Sequence, residues 1–141
     1  MHSQIDLDPT HSVIRLIVLE ENVSLECAED CYRHLSVVTS SGGPYAAIYD
    51  LSRARNTSIP TETIRDLAHR RPSIPTGKAG MPHVVVGYFP VIYGLARLFQ
   101  MCGESVGNEF EVVHTLDEAY AITGARAEDF TQRLYPETMA A

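Results

Sequence analysis

The chain has 141 residues, a net charge of −7 and an ordinary balance of apolar and charged residues, which places it among single-domain globular proteins rather than disordered chains. So acidic a surface repels phosphate backbones, and the longest apolar run, Val13 to Leu19, falls well short of the roughly 18 residues of a spanning helix, so no nucleic-acid partner and no membrane insertion are expected. The start, Met1 to Pro9, lacks the basic-then-apolar order of a signal peptide, and three cysteines do not make a secreted disulfide framework, so a cytoplasmic location is expected.

Gln4 to Leu7 alternates polar and apolar residues, and Val13 to Leu19 is apolar apart from Arg15. The turn-forming Asp8-Pro-Thr-His-Ser12 lies between them, which predicts an N-terminal hairpin. Its second strand reads as central, buried on both faces. Ser24 caps a helix running to about Thr39, with Val23 placed to staple onto Ala28. The inner face of that helix is Ala28, Cys31, Tyr32, Leu35 and Val38, at spacings of three and four. Ser40-Ser-Gly-Gly-Pro44 ends it, and Tyr45 to Asp50 follows as a second buried strand.

Pro60 suits the first position of a short helix, where its missing N–H costs nothing, and Ile64, Leu67 and Ala68 face inward. A Pro/Gly-rich connection from Pro72 to Pro82 leads into a strand at His83 to Gly87. Pro90 starts a helix whose apolar stripe reads Val91, Leu95, Leu98, Phe99 and Cys102. A short strand, Phe110 to Val113, precedes the capping box Thr115-Leu-Asp-Glu118 and a helix ending near Gly124. Ala127 to Tyr135 reads as a peripheral turn or helix. The order predicts one α/β domain with its core at about 4–124 and a peripheral C-terminal segment at 125–141. Its sheet is mostly parallel, with an N-terminal antiparallel hairpin strand and about four helices.

This order resembles the STAS domain, the fold of the sporulation anti-sigma-factor antagonists and of the cytoplasmic tail of sulfate transporters. The likeness is carried by the hairpin into Val13-Ile-Arg-Leu-Ile-Val-Leu19, the strand ending Ile48-Tyr-Asp-Leu-Ser52 and the helix at Pro60. It continues through Phe89 to Phe99 and Val112-Val-His-Thr-Leu-Asp-Glu-Ala119, covering about Gln4 to Gly124. The resemblance implies a non-enzymatic regulatory or protein-binding module, with a serine phosphorylated at the start of the helix after the Asp-Leu-Ser strand. The family motif there is Asp-Ser-Ser-Gly or Asp-Ser-Thr-Gly. Here Asn56-Thr-Ser-Ile-Pro-Thr-Glu62 lacks the aspartate and the glycine, leaving Ser58 and Thr57 as the nearest hydroxyls in a degenerate loop.

Ligands of parallel sheets bind beyond the carboxyl ends of the strands. That rule selects a rim of Asp50, Ser52, Arg53, Arg55, Asn56, Tyr88, Phe89 and His114 for a partner or ligand. A nucleophile, base and orienter reading of Ser52, His114 and Asp50 lacks the strained Gly-x-Ser-x-Gly elbow, so no catalytic residue is assigned. Cys27, Cys31 and His34 project from one side of the first helix. They are three soft donors where a structural zinc site wants four, so neither metal nor cofactor is expected. Tyr93, Arg97, Gln100 and Met101 on the helix from Pro90 are residue types enriched at interfaces. Gly94 beside them suggests a close approach by another element.

A protein partner is therefore expected, with a second copy of the chain, as a homodimer, among the candidates. The alternative is a small ligand, an anion or an apolar metabolite, bound at the rim by the helix N-termini at Pro60, Pro90 and Thr115. A small hydrolase using Ser52 and His114 ranks last.

Overall fold

A computed structural model describes residues 2–40, 44–70, 81–103 and 110–135. The Ser-Gly-Gly segment at 41–43 and nearly all of the Pro/Gly-rich connection lie outside that range. The chain runs β1 (Ser3–Asp8), β2 (Val13–Val18), β3 (Asn22–Val23), α1 (Leu25–Ser40), β4 (Ala46–Asp50), β5 (Asn56–Thr57), α2 (Thr61–Arg70), β6 (His83–Val86), α3 (Pro90–Gly103), β7 (Glu111–Val113), α4 (Leu116–Thr123), a 3-10 turn (Ala127–Asp129) and β8 (Gln132–Leu134).

The main sheet has the order β7-β6-β4-β2-β1-β8. β2, β4, β6 and β7 are mutually parallel, while β1 and β8 add antiparallel strands at one side. The expected hairpin is formed by β1 and β2, with Ile5 opposite Leu16. Asp8 closes its turn by accepting the amides of Thr10 and His11 at 2.9 and 3.1 Å, and Ser12 takes a positive φ of 55°. The peripheral segment begins as a 3-10 turn and then joins the sheet as β8, pairing Ile5 with Leu134. Gln132–Leu134 has only three residues, too short for alternation to mark it as a strand.

From β2 the chain steps to β4, β6 and β7 in one direction. Right-handed crossovers that all step the same way place α1, α2 and α3 on one face. Ile5, Ile14, Leu16 and Ala47 of the strands pack there against Cys27, Leu35 and Val38 of α1, Ile64 and Leu67 of α2 and Ile92 of α3. The alternate strand residues Ile48, Val84, Val86 and Val113 pack on the other face against Ala119 of α4.

Beyond them on that second face, the buried Asp6 sits opposite both Arg15 and Arg133 and accepts from Arg15 Nη2 at 3.3 Å and Arg133 Nε at 2.7 Å. Arg15 also donates to Tyr120 Oη at 2.7 Å and lies 4.4 Å above the Phe130 ring. A buried carboxylate held by two guanidiniums is satisfied, and removing one partner of such a pair costs about 3–5 kcal/mol.

Capping sets the helix limits. Ser24 Oγ accepts the Cys27 amide at 3.1 Å. Thr115 and Glu118 form the expected capping box, and Gly124 ends α4 in the left-handed conformation at φ 80°. Pro60 lies one position outside α2, with its carbonyl accepting the Ile64 amide at 3.1 Å. Of the expected stripe of α3, Leu95, Leu98 and Phe99 pack against the core, whereas Val91 is 53 % exposed and Ile92 and Ala96 are the buried residues. The first turn of α3 packs close to Gly87 at the end of β6.

Gly87 is the close-approach glycine. A Cβ there would lie 3.1 Å from both Cα and N of Tyr93, whereas one at Gly94 would meet nothing within 4 Å. Gly94 therefore marks no crowded neighbour. Gly87→Ala should destabilise the domain by about 1–3 kcal/mol through overpacking against helix backbone. Gly94→Ala should stabilise it by about 0.5–1 kcal/mol through helix propensity. Urea denaturation of both variants checks the pair, and equal effects would contradict this packing.

Candidate functional site

The carboxyl ends of β2, β4, β6 and β7 do lie along one border, since Ile17 pairs with Asp50, Asp50 with Val86, and Val86 with Val113. The loops after β2 and β4 are zipped there by the two-residue parallel ladder of β3 and β5, with Arg55 and Asn56 amides donating to the Glu21 carbonyl at 2.7 and 3.1 Å. The strands from β2 to β7 step one way, so no topological switch point falls between these parallel neighbours.

The border residues form separate contacts rather than one site. The Arg55 guanidinium lies 4.7 Å above Phe89, whose ring meets Tyr88 edge-on at 5.2 Å. The Tyr93 and His114 rings stack at 3.9 Å. The Asp50 carboxylate is buried and accepts the Ser52 amide at 2.9 Å. Among the described residues no hydrogen bond joins Ser52 to His114 or His114 to Asp50. Arg53 and Asn56 are exposed on the same border. Of the expected interface residues, Met101 is 62 % exposed. Gln100 is used within the fold, accepting from Arg97 at 3.0 Å and donating to the Phe110 carbonyl at 2.7 Å.

The two candidate phosphoacceptors differ. The Thr57 hydroxyl donates to the Val23 carbonyl at 2.9 Å and accepts the Ile59 amide at 3.1 Å, so it is an internal tie. Ser58 is exposed, and its hydroxyl accepts from Asn22 Nδ2 at 3.2 Å.

The concave feature lies elsewhere. Between the sheet and its three helices is a partly open cavity of about 160 Å³. Its floor is Leu16, Val18, Tyr49, Leu51 and Val85. Its roof is Cys27, Ala28, Cys31, Tyr32 and Leu35 of α1, Ile64 and Leu67 of α2, and Leu95, Ala96 and Phe99 of α3, with Val23, Ile59 and Phe110 at the sides. The two phenols turn their oxygens away: Tyr32 donates to the Leu67 carbonyl at 3.1 Å, and Tyr49 lies 3.3 Å from His83 Nδ1. What faces the space is almost entirely carbon and sulfur.

One polar thread reaches it. His34 Nδ1 lies 2.9 Å from Ser3 Oγ, and Ser3 and Cys27 neighbour the Cys31 thiol. The Cys31 thiol donates to the Cys27 sulfur, which lowers the Cys27 pKa below the ordinary thiol value against the opposing effect of burial. The same bond, together with desolvation, pushes Cys31 up. Cys27, Cys31 and His34 thus follow one side of α1 as expected, but they point at one another and at Ser3. Among the described residues, the group with metal-ligating spacing is Asp8, His11 and Asp129, at the opposite border. Its donors are engaged internally, Asp8 by His11 Nδ1 at 2.6 Å and Asp129 by Arg126.

Sequence reasoning missed the cavity. The available signal was the run of small side chains at Cys27, Ala28 and Cys31 on the inner side of α1, facing Ala96. No family model, curated protein or solved structure matches this chain.

Thr57→Val should cost about 1–2 kcal/mol in urea denaturation, because it strands the Ile59 amide and leaves the Val23 carbonyl with the Ser58 amide alone. Ser58→Ala should stay within about 0.5 kcal/mol. The reverse order would contradict these hydroxyl roles.

Proposed function

We propose that this chain is a non-enzymatic binding module on a STAS-like scaffold, and that its ligand is a small apolar molecule held between the sheet and α1, α2 and α3. The observation that carries this reading is the cavity of about 160 Å³ lined by aliphatic, aromatic and thiol groups. Apolar cavities near 150 Å³ stay dry and take up ligands the size of benzene. Binding pockets are mostly apolar, with a few convergent polar groups; here the thiols of Cys27 and Cys31 are the polar ones. Of the anion and the apolar metabolite expected at the rim, the apolar one suits this space, because among the described residues no cationic side chain lines it. None of the helices among the described residues is long and apolar enough to cross a membrane.

The STAS-like order supports a protein partner as well, and the matching surface is the border around Arg55, Tyr88 and Phe89, where Tyr88 is 59 % exposed. Aromatic residues and arginine are enriched at interfaces. In that role Ser58 is the accessible acceptor for phosphate, and a second copy of the chain is the simplest partner to test by sedimentation. A cytoplasmic setting suits such a module.

Indole and toluene are suitable probes for the cavity. At a hundredfold excess over Kd a ligand stabilises the folded state by about 2.7 kcal/mol, which raises Tm by several degrees. Ala96→Leu should fill the space, keep the fold and abolish the shift. An equal shift in that variant, or no shift with either probe, would remove the proposal.

A further inference from the structure

The helix α3 carries two apolar stripes, and the fold uses one of them. Ile92, Leu95, Ala96 and Phe99 face the sheet or the cavity. The second stripe runs along the outer side through Val91, Gly94, Leu98 and Met101. Val91 is 53 % and Met101 62 % exposed, Gly94 is exposed and Leu98 is half-buried. Steps of three, four and three are those of a coiled-coil seam, the pattern that apolar residues follow where a second helix lies alongside. We propose that this stripe is the contact through which two copies of the chain associate, with their α3 helices antiparallel about a two-fold axis. The inference gives the second-copy partner proposed above its surface, and it does not depend on the cavity.

Three observations support it. Gly94 weakens the helix relative to alanine, and no neighbouring element accounts for it, since a Cβ there would meet nothing within 4 Å. It leaves a hole in the seam. The residue that fills such a hole stands four positions on. In an antiparallel pair Leu98 of one copy lies over the other copy's Gly94, and Val91 lies against the other copy's Met101. Each contact then occurs twice, as a two-fold interface requires. Methionine adapts readily to an irregular gap of this kind.

Charge favours a second copy as the occupant. The chain carries 18 acidic residues and a net charge of −7, yet none of the 18 falls between Met81 and Gly103. Two acidic copies therefore meet here with less repulsion than on other surfaces. Arg97 is the one charged side chain of α3; it flanks the seam and donates to Gln100 Oε1 at 3.0 Å. In the dimer the two Arg97 side chains fall near the axis, so salt should strengthen the association by screening them. An acidic helix of another protein would show the reverse. Of the other residues expected at this interface, Tyr93 stacks on His114 and Gln100 holds the Phe110 carbonyl, so both serve the fold.

The test uses the full chain. Sedimentation velocity at rising concentration should show a monomer–dimer equilibrium with Kd on the order of 10 µM, the weak end expected of a contact confined to one helix. Gly94→Gln fills the hole and Met101→Glu puts a carboxylate in the seam. Both positions are exposed, so thermal melts at low concentration should show a folded monomer. Each variant should raise Kd about tenfold or more, and added salt should lower Kd in the parent chain. Indole binding should persist in Gly94→Gln, because Gly94 does not line the cavity. In a dimer mixed from differently labelled copies, an isotope-filtered spectrum should show contact between the Val91 and Met101 methyl groups. These lie about 15 Å apart along one helix and can touch only between copies. A chain that stays monomeric would overturn the inference and remove the second-copy partner with it. A dimer unmoved by both variants, weakened by salt or lacking the Val91–Met101 contact would refute this surface alone.

Discussion

The direction in which the sheet is wound governs the rest of this molecule. β2, β4, β6 and β7 step one way without reversal, and right-handed crossovers then have no choice but to put α1, α2 and α3 on one face. The same winding leaves no switch point among the parallel strands of the kind at which doubly wound sheets open a crevice. The cavity lies between the layers, with Val23 and Ile59 of the border loops at its sides. The other face is closed by α4, by Phe130 and by the Asp6 carboxylate clamped between Arg15 and Arg133.

The gap between layers follows from side-chain size. Cys27, Ala28 and Cys31 occupy the inner turns of α1, and Ala96 faces them from α3. Where Leu or Phe at those positions would close the core, these residues leave about 160 Å³ unfilled. Space left open in this way forgoes packing that larger side chains would supply. Departures from good packing are expected at functional sites, where activity and stability compete. The hydroxyls that might have made the space polar are turned outward to Leu67 and His83, which keeps it apolar.

Much of this architecture was legible in the residues. The Asp8 to Ser12 turn between two apolar runs specified the hairpin, Ser24 and the Thr115–Glu118 box fixed two helix starts, and strand-helix alternation gave the parallel sheet. β8 was not legible because three residues carry no period, and neither was the two-residue ladder of β3 and β5. On α3, Leu95, Leu98 and Phe99 face the core as expected and Val91 does not; the first turn packs close to Gly87, and closeness between distant backbones leaves no local mark. At the border Asp50 holds the Ser52 amide while His114 stacks on Tyr93, so the three side chains do not converge. Which neighbour a side chain chooses depends on tertiary distances of an ångström or two. The cavity is lined from all three helices, so the small residues of α1 hint at it but do not locate it.

The central claim is that the space beneath α1, α2 and α3 is a real, enterable apolar site. A crystal pressurised with xenon tests it most directly, because xenon occupies apolar cavities and makes no hydrogen bonds. The account predicts xenon density in contact with Leu16, Leu35 and Phe99. Side chains filling that volume, or xenon bound elsewhere and not there, would contradict it.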